Sequence, residues 1–261
     1  MPFRATVLLR PTCLLAMLSF LFFARTQLNF VEGNAHSIRE AHSTRDRRHR
    51  HGLDSVDSVF VINLESRNDR LHEINAVLES LGVSNQAIVR GVPHSCGALG
   101  CSLSHAMAVA ECIDSNATTC AVFEDDFELV RDPEEAKAAI DRFFRSQPPS
   151  WEVLMLSAHA TTPSSPSAEF SHLDVINAAL TASGYIIHRS FATTLLHNFL
   201  QAAYHLNESN CSKAEFAHDV LWKRHQQSGK WFALKPVIGR QRASYSDIEK
   251  MNVDYKVKLR L

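Results

Sequence analysis

The sequence predicts an α/β fold: a mainly parallel β-sheet with helices on both faces. Three observations lead there. Short apolar, β-branched runs such as VFVINL at 59–64 and CAVF at 120–123 have the length and composition of buried strands. Stretches with apolar residues at helical spacing stand between them. Polar clusters follow the strand-like runs directly, where ligands bind at the carboxyl edge of an open sheet.

The elements follow in order. VFVINL is the first strand. RLHEINAVLESLGV at 70–83 carries apolar residues at 71, 74, 77, 78 and 81, a helical stripe closed by Gly82. QAIVRGV at 86–92 is a second strand, and SLSHAMAVAECIDS at 102–115 a helix with Ser102 or Ser104 near its cap. CAVFEDD at 120–126 is the third strand. In DPEEAKAAIDRFFRSQ, 132–147, Asp132 caps a helix and Pro133 fills its first turn. WEVLML at 151–156 is a strand, and TTPSSPSAEF at 161–170 a Ser/Pro loop. The stretch 182–204 reads as strand then helix, 216–229 as helix, and 232–240 as strand and loop.

The N-terminal segment stands apart. Residues 1–31 form a targeting segment with Arg4 ahead of an apolar stretch from Ala5 to Ala24. Arg10 and Pro11 interrupt it. The stretch suits a signal anchor, with Arg10 snorkelling, or a cleaved signal peptide. Residues 32–55, rich in His and Arg, read as a flexible basic stem, and 56–261 as the catalytic domain. Residues 1–52 hold eight Arg against three acids; the remainder holds 19 Lys and Arg against 25 acids. A mildly acidic domain gives no support for nucleic-acid binding and suits a divalent cation. Sequons at Asn116, Asn207 and Asn210 point to the secretory route, so the expected location is luminal, in the ER or Golgi, as a type II membrane protein or secreted. Five cysteines follow the leader, an odd number, and fit no zinc spacing; buried thiols and disulfides both remain open.

The chemistry centres on Glu124, Asp125 and Asp126, three acids ending an apolar strand. In extended geometry Glu124 and Asp126 point one way and Asp125 the other. Carboxylates converging there suit Mg²⁺ or Mn²⁺. A solvated acidic turn is the plainer alternative. A phosphatase-type acid motif fits poorly, because Glu124 and Glu128 occupy its key slots. Asn63, Arg67 and Arg70 follow the first strand, and Arg suits bidentate contact with phosphate. Ser104 and His105 lie near a helix start, which favours anions.

Together these pieces resemble glycosyltransferase family 25, the family of lipooligosaccharide and procollagen galactosyltransferases. Val61 to Arg70 is similar to its V-I-N-L-x-x-R-x-x-R pattern, Gly97 to His105 to G-x-x-G-C-x-x-S-H, and Glu124 to Asp126 to E-D-D. HDVLW at 218–222 and the closing Gln241 to Glu249 extend the likeness. The resemblance implies a GT-A type nucleotide-sugar-binding fold. It also implies a UDP-sugar donor (galactose foremost), Mn²⁺ or Mg²⁺, a glycan or protein acceptor, and inversion. Asp126 then holds the metal with Asp125 and Glu124; Asn63, Arg67, Arg70, Ser104 and His105 face the donor. The base for the acceptor hydroxyl is Asp219, with Asp247 and Glu249 behind it. The alternative is a catalytically silent luminal binding or adhesion module of the same fold.

Overall fold

The computed structural model describes residues 51–160, 165–167, 169–246 and 251–253. The expected signal anchor, most of the stem, Asp247 and Glu249 lie outside the described residues. Among the described residues no helix is long and apolar enough to cross a membrane.

The helices are α1 (Asn68–Ser80), α2 (Gly97–Asp114), α3 (Pro133–Arg145), α4 (Arg189–Glu208), α5 (His218–Leu221) and α6 (Lys223–Gln226). The central strands are β1 (Ser58–Asn63), β2 (Ala87–Arg90), β3 (Thr119–Glu124), β5 (Val153–Met155), β7 (Ser165–Pro166), β8 (Leu173–Val175), β10 (Gly184–His188) and β11 (Trp231–Leu234). Short pairs flank them: β4 (Phe127–Leu129) with β12 (Gly239–Gln241), β6 (His159–Ala160) with β9 (Ala179–Leu180), and β13 (Ser244–Ser246) with β14 (Met251–Val253).

The eight-stranded sheet runs β2-β1-β3-β10-β5-β11-β8-β7. β10 and β8 run opposite to the other six strands, so the sheet is mainly parallel with two antiparallel insertions. The reason is local. β10 inserts antiparallel between β3 and β5, and its Tyr185 lies beside Val122 on one side and Met155 on the other.

Alternation along each strand divides the core in two. Phe60, Ile62, Val122, Met155, Tyr185 and Trp231 pack with α2, α4 and Trp222. Val61, Ala121, Phe123, Leu154, Ile186 and Phe232 face α1 and α3. Helices therefore cover both faces, as the sequence predicts. Asp132 caps α3 by accepting from the Glu134 amide at 2.9 Å, with Pro133 behind it.

Two details differ from the sequence reading. Gly52–Ser55, assigned to the stem, form a 3-10 turn with Leu53 fully buried. The Gly52 amide donates to Asp141 of α3 at 2.6 Å, so the folded domain begins before Val56. The cysteines also settle: Cys96 bonds to Cys211 and Cys112 to Cys120, leaving Cys101 as a thiol.

The acidic turn is clamped by aromatic packing. Phe127, immediately after Asp126, is buried with its ring edge-on to Phe123 at 4.9 Å. A Cβ on Gly239 would stand 2.2 Å from the Phe127 ring. Gly239→Ala is therefore expected to displace Phe127 and destabilise the fold by about 1–3 kcal/mol, an overpacking penalty. Thermal unfolding checks this; an unchanged midpoint would show that the ring is not held there.

Candidate active site

Strand parity decides where the three acids go. Glu124 is the last residue of β3 and shares its face with Val122, so its side chain meets α2. Its Oε1 lies 2.9 Å from His105 Nε2 and accepts from Cys101 Sγ at 3.6 Å. The strand then ends, and Asp125 and Asp126 form the turn into β4. Both reach the opposite face, where Arg70 of α1 donates from Nη1 to Asp125 Oδ1 at 3.0 Å and Asp126 Oδ2 at 3.4 Å. The expected alternation is thus corrected: Asp125 and Asp126 act together and Glu124 apart, because the extended geometry stops at Glu124.

Asn63, in register with Val61 on the α1 side, donates from Nδ2 to Asp125 Oδ2 at 2.8 Å and to the Arg67 carbonyl at 3.0 Å. Both Asp125 oxygens are therefore engaged. Asp126 differs. Gln241 Nε2 donates to its Oδ2 at 3.1 Å, while its Oδ1 is buried with no hydrogen-bond partner. The Arg242 amide donates to the Asp126 carbonyl at 2.8 Å. Burial pushes the Asp126 carboxyl up to about 7, helped by the Glu124 charge and opposed by Arg70. Burial likewise pushes Glu124 up to about 7, opposed by His218.

Beside Glu124 lies a buried polar cluster. His105 Nδ1 lies 3.1 Å from the Tyr185 hydroxyl, and His218 Nδ1 lies 3.4 Å from Ser102 Oγ. Burial holds His105 down at about 3 and His218 at about 4, so both rings are neutral near pH 7. Asp219, at the start of α5, accepts from the Thr181 amide at 3.2 Å. Its charge acts on Cys101, His105, Glu124 and His218, which places it near the polar cluster around Glu124.

The predicted site residues thus separate into three groups. Glu124, Asp125, Asp126, Asn63, Arg70, His105 and Asp219 assemble at the carboxyl edge. Arg67 is paired with Asp69 through two hydrogen bonds of 3.0 and 2.9 Å. Ser104 sits within α2, donating to the Gly100 carbonyl and accepting from the Val92 amide. That makes it a splice between α2 and the chain after β2. Trp222, in the HDVLW stretch, is fully buried, with Nε1 donating to the Ala179 carbonyl at 2.9 Å. Sequence reasoning missed Gln241, Arg242, Cys101 and His218. Gln241 was legible as the first residue of the closing motif; the others came together only through folding.

A mixed α/β sheet with buried acids and an arginine at its carboxyl edge is the architecture of a ligand-binding α/β domain. Residues 86–210 match the family described as glycosyltransferase family 25 (LPS biosynthesis protein). The match takes in Gly97 to His105 and Glu124 to Asp126 and leaves Val61 to Arg70 and His218 to Trp222 outside.

The chain has a distant likeness to three solved structures. A glycosyltransferase involved in glycosylation of the major capsid of PBCV-1 is 10% identical, covering 74% of this chain and 96% of its own, at TM-score 0.44. Mannose-1-phosphate geranyltransferase of Thermus thermophilus is 9% identical, covering 68% and 72%, at 0.41. A mutant Drosophila beta-1,4-galactosyltransferase 7, complexed with manganese, UDP-Gal and xylobiose, is 10% identical, covering 59% and 61%, at 0.28. All three are too distant to carry function. No curated protein matches the chain significantly.

Proposed function

We propose that this chain is a metal-dependent hexosyltransferase of the GT-A type. It moves a hexose, galactose foremost, from a UDP-sugar to a hydroxyl of a glycan or protein acceptor, with inversion. The observation that carries the reading is Asp126. It presents a buried, unpartnered Oδ1 at the carboxyl edge, within a chain that matches glycosyltransferase family 25 over residues 86–210. An all-oxygen ligand of that kind fits Mn²⁺ or Mg²⁺. Asp126 would hold the ion; Asp125, saturated by Arg70 and Asn63, would steady the turn rather than ligate. When bound there, the ion would supply charge neutralisation for the departing diphosphate.

The chain's own residues do the rest. Arg70 lowers the repulsion between Asp125 and Asp126 and offers positive charge to an anionic donor. Asp219 is the residue assigned to the acceptor proton. Two disulfides fit an oxidising, luminal compartment, and the N-terminal segment is the proposed membrane attachment.

One observation favours the second reading, a silent binding module. The Arg70 guanidinium already bridges Asp125 and Asp126, as a built-in substitute for a cation. Incubation of the purified chain with a panel of nucleotide sugars separates the two. Release of UDP from a UDP-hexose, abolished by EDTA and restored by Mn²⁺, supports transfer. Absence of turnover with every donor overturns it.

A further inference from the structure

We propose that Cys101, His105, Glu124 and His218 form a four-ligand site for a borderline-soft divalent transition ion, zinc foremost, separate from the Asp126 carboxylate. One ligand atom from each lies within 4.8 Å of all the others. The site stands whether or not the chain transfers sugar.

The geometry suits such an ion. Cys101 and His105 stand four residues apart on α2, hence on one helical face. Glu124 arrives from the end of β3 and His218 from the start of α5. Ligand atoms around a tetrahedral zinc, with bonds of about 2.0–2.3 Å, are about 3.3–3.8 Å apart. His105 to Glu124 is 2.9 Å and Cys101 to Glu124 is 3.6 Å, so small shifts suffice.

The surroundings are also those of ligands. A metal-bound histidine holds its other ring nitrogen to a fixed hydrogen-bonding group. The Tyr185 hydroxyl does this for His105 and Ser102 for His218. His218 Nε2 is buried without a hydrogen-bond partner, and a metal–nitrogen bond would satisfy it. The donor set of one sulfur, two imidazoles and one carboxylate selects zinc over magnesium or manganese. Glu124 and Cys101 are only partly buried, which leaves a path for entry. Binding releases the Cys101 thiol proton to solvent.

Four protein ligands close the coordination shell, so the ion is structural. It would fasten α5, which is four residues long, to α2 and the end of β3. That helix carries Asp219.

The test is metal binding, read without any activity assay. The full chain is purified without chelator for elemental analysis, then stripped and titrated with Co²⁺ alone. The expected results are about one zinc per chain and a thiolate-to-cobalt charge-transfer band. The band should vanish in Cys101→Ser. Affinity for Co²⁺ should fall more than about tenfold in His218→Gln and about tenfold in Tyr185→Phe. Asp126→Asn should keep the band, which separates this site from the one proposed for transfer. A wild-type chain with no zinc and no band overturns the proposal, as does a band that survives Cys101→Ser. Should any variant fail to fold, zinc content and the wild-type cobalt spectrum decide alone.

Discussion

Asp126→Asn is expected to lose hexose transfer by on the order of 100- to 1000-fold, the scale of losing one electrostatic contact to the leaving group. The metal-free variant should nevertheless unfold at a higher temperature than the wild-type chain at about pH 8. Both follow from one fact: Asp126 is buried with Oδ1 unpartnered, and burial raises its pKa to about 7. Such a group is held protonated in the folded chain at a pH where the unfolded chain has released the proton. Its contribution to stability is full below about 4 and is lost as pH rises through about 7. His105 and His218, held down at about 3 and 4, act in the opposite sense in the acid range. Comparing variant with wild type isolates Asp126, because the histidines are common to both. Thermal unfolding in chelator between about pH 5 and 8 should show the difference widening in the variant's favour. Wild-type transfer would remove Asp126 from the reaction. A variant less stable across that range would contradict the account of the buried charge.

Asp219→Asn should lower kcat by about 100- to 10,000-fold, the scale of a general base, with KM for the donor little changed. The amide can still accept from the Thr181 backbone at 3.2 Å through its oxygen, so the local fold should persist. What is lost is the ability to take a proton. Steady-state kinetics with saturating acceptor measures this. A KM effect with kcat preserved would make Asp219 a binding residue and turn the search for the base to Asp247 and Glu249.

The division of labour among the acids shows how far the sequence could be read. The strand CAVF, the helix cap at Asp132 and Pro133, and the α/β alternation rest on periodicity and local preference, which sequence carries directly. The assembly of Asn63, Arg70 and the acids at one edge was also legible, because strand ends in such sheets share an edge. The alternation assigned to Glu124, Asp125 and Asp126 was not. It assumed that the strand continued, whereas the turn into β4 begins at Asp125. Asn63 and Ser104 looked like donor contacts by residue type, yet the fold turns them to Asp125 and to the Val92 amide.

By itself the sequence determined the class of fold, the two-faced core and the collection of acids and Arg70 at one edge. Each of these follows from hydrophobic period and strand order. Only the tertiary structure decided which oxygen is left free. It also separated Glu124 from its neighbours and brought Cys101 and His105 to His218, more than a hundred residues further along. Those outcomes depend on which elements pack against which face, and local sequence carries no record of a partner so distant.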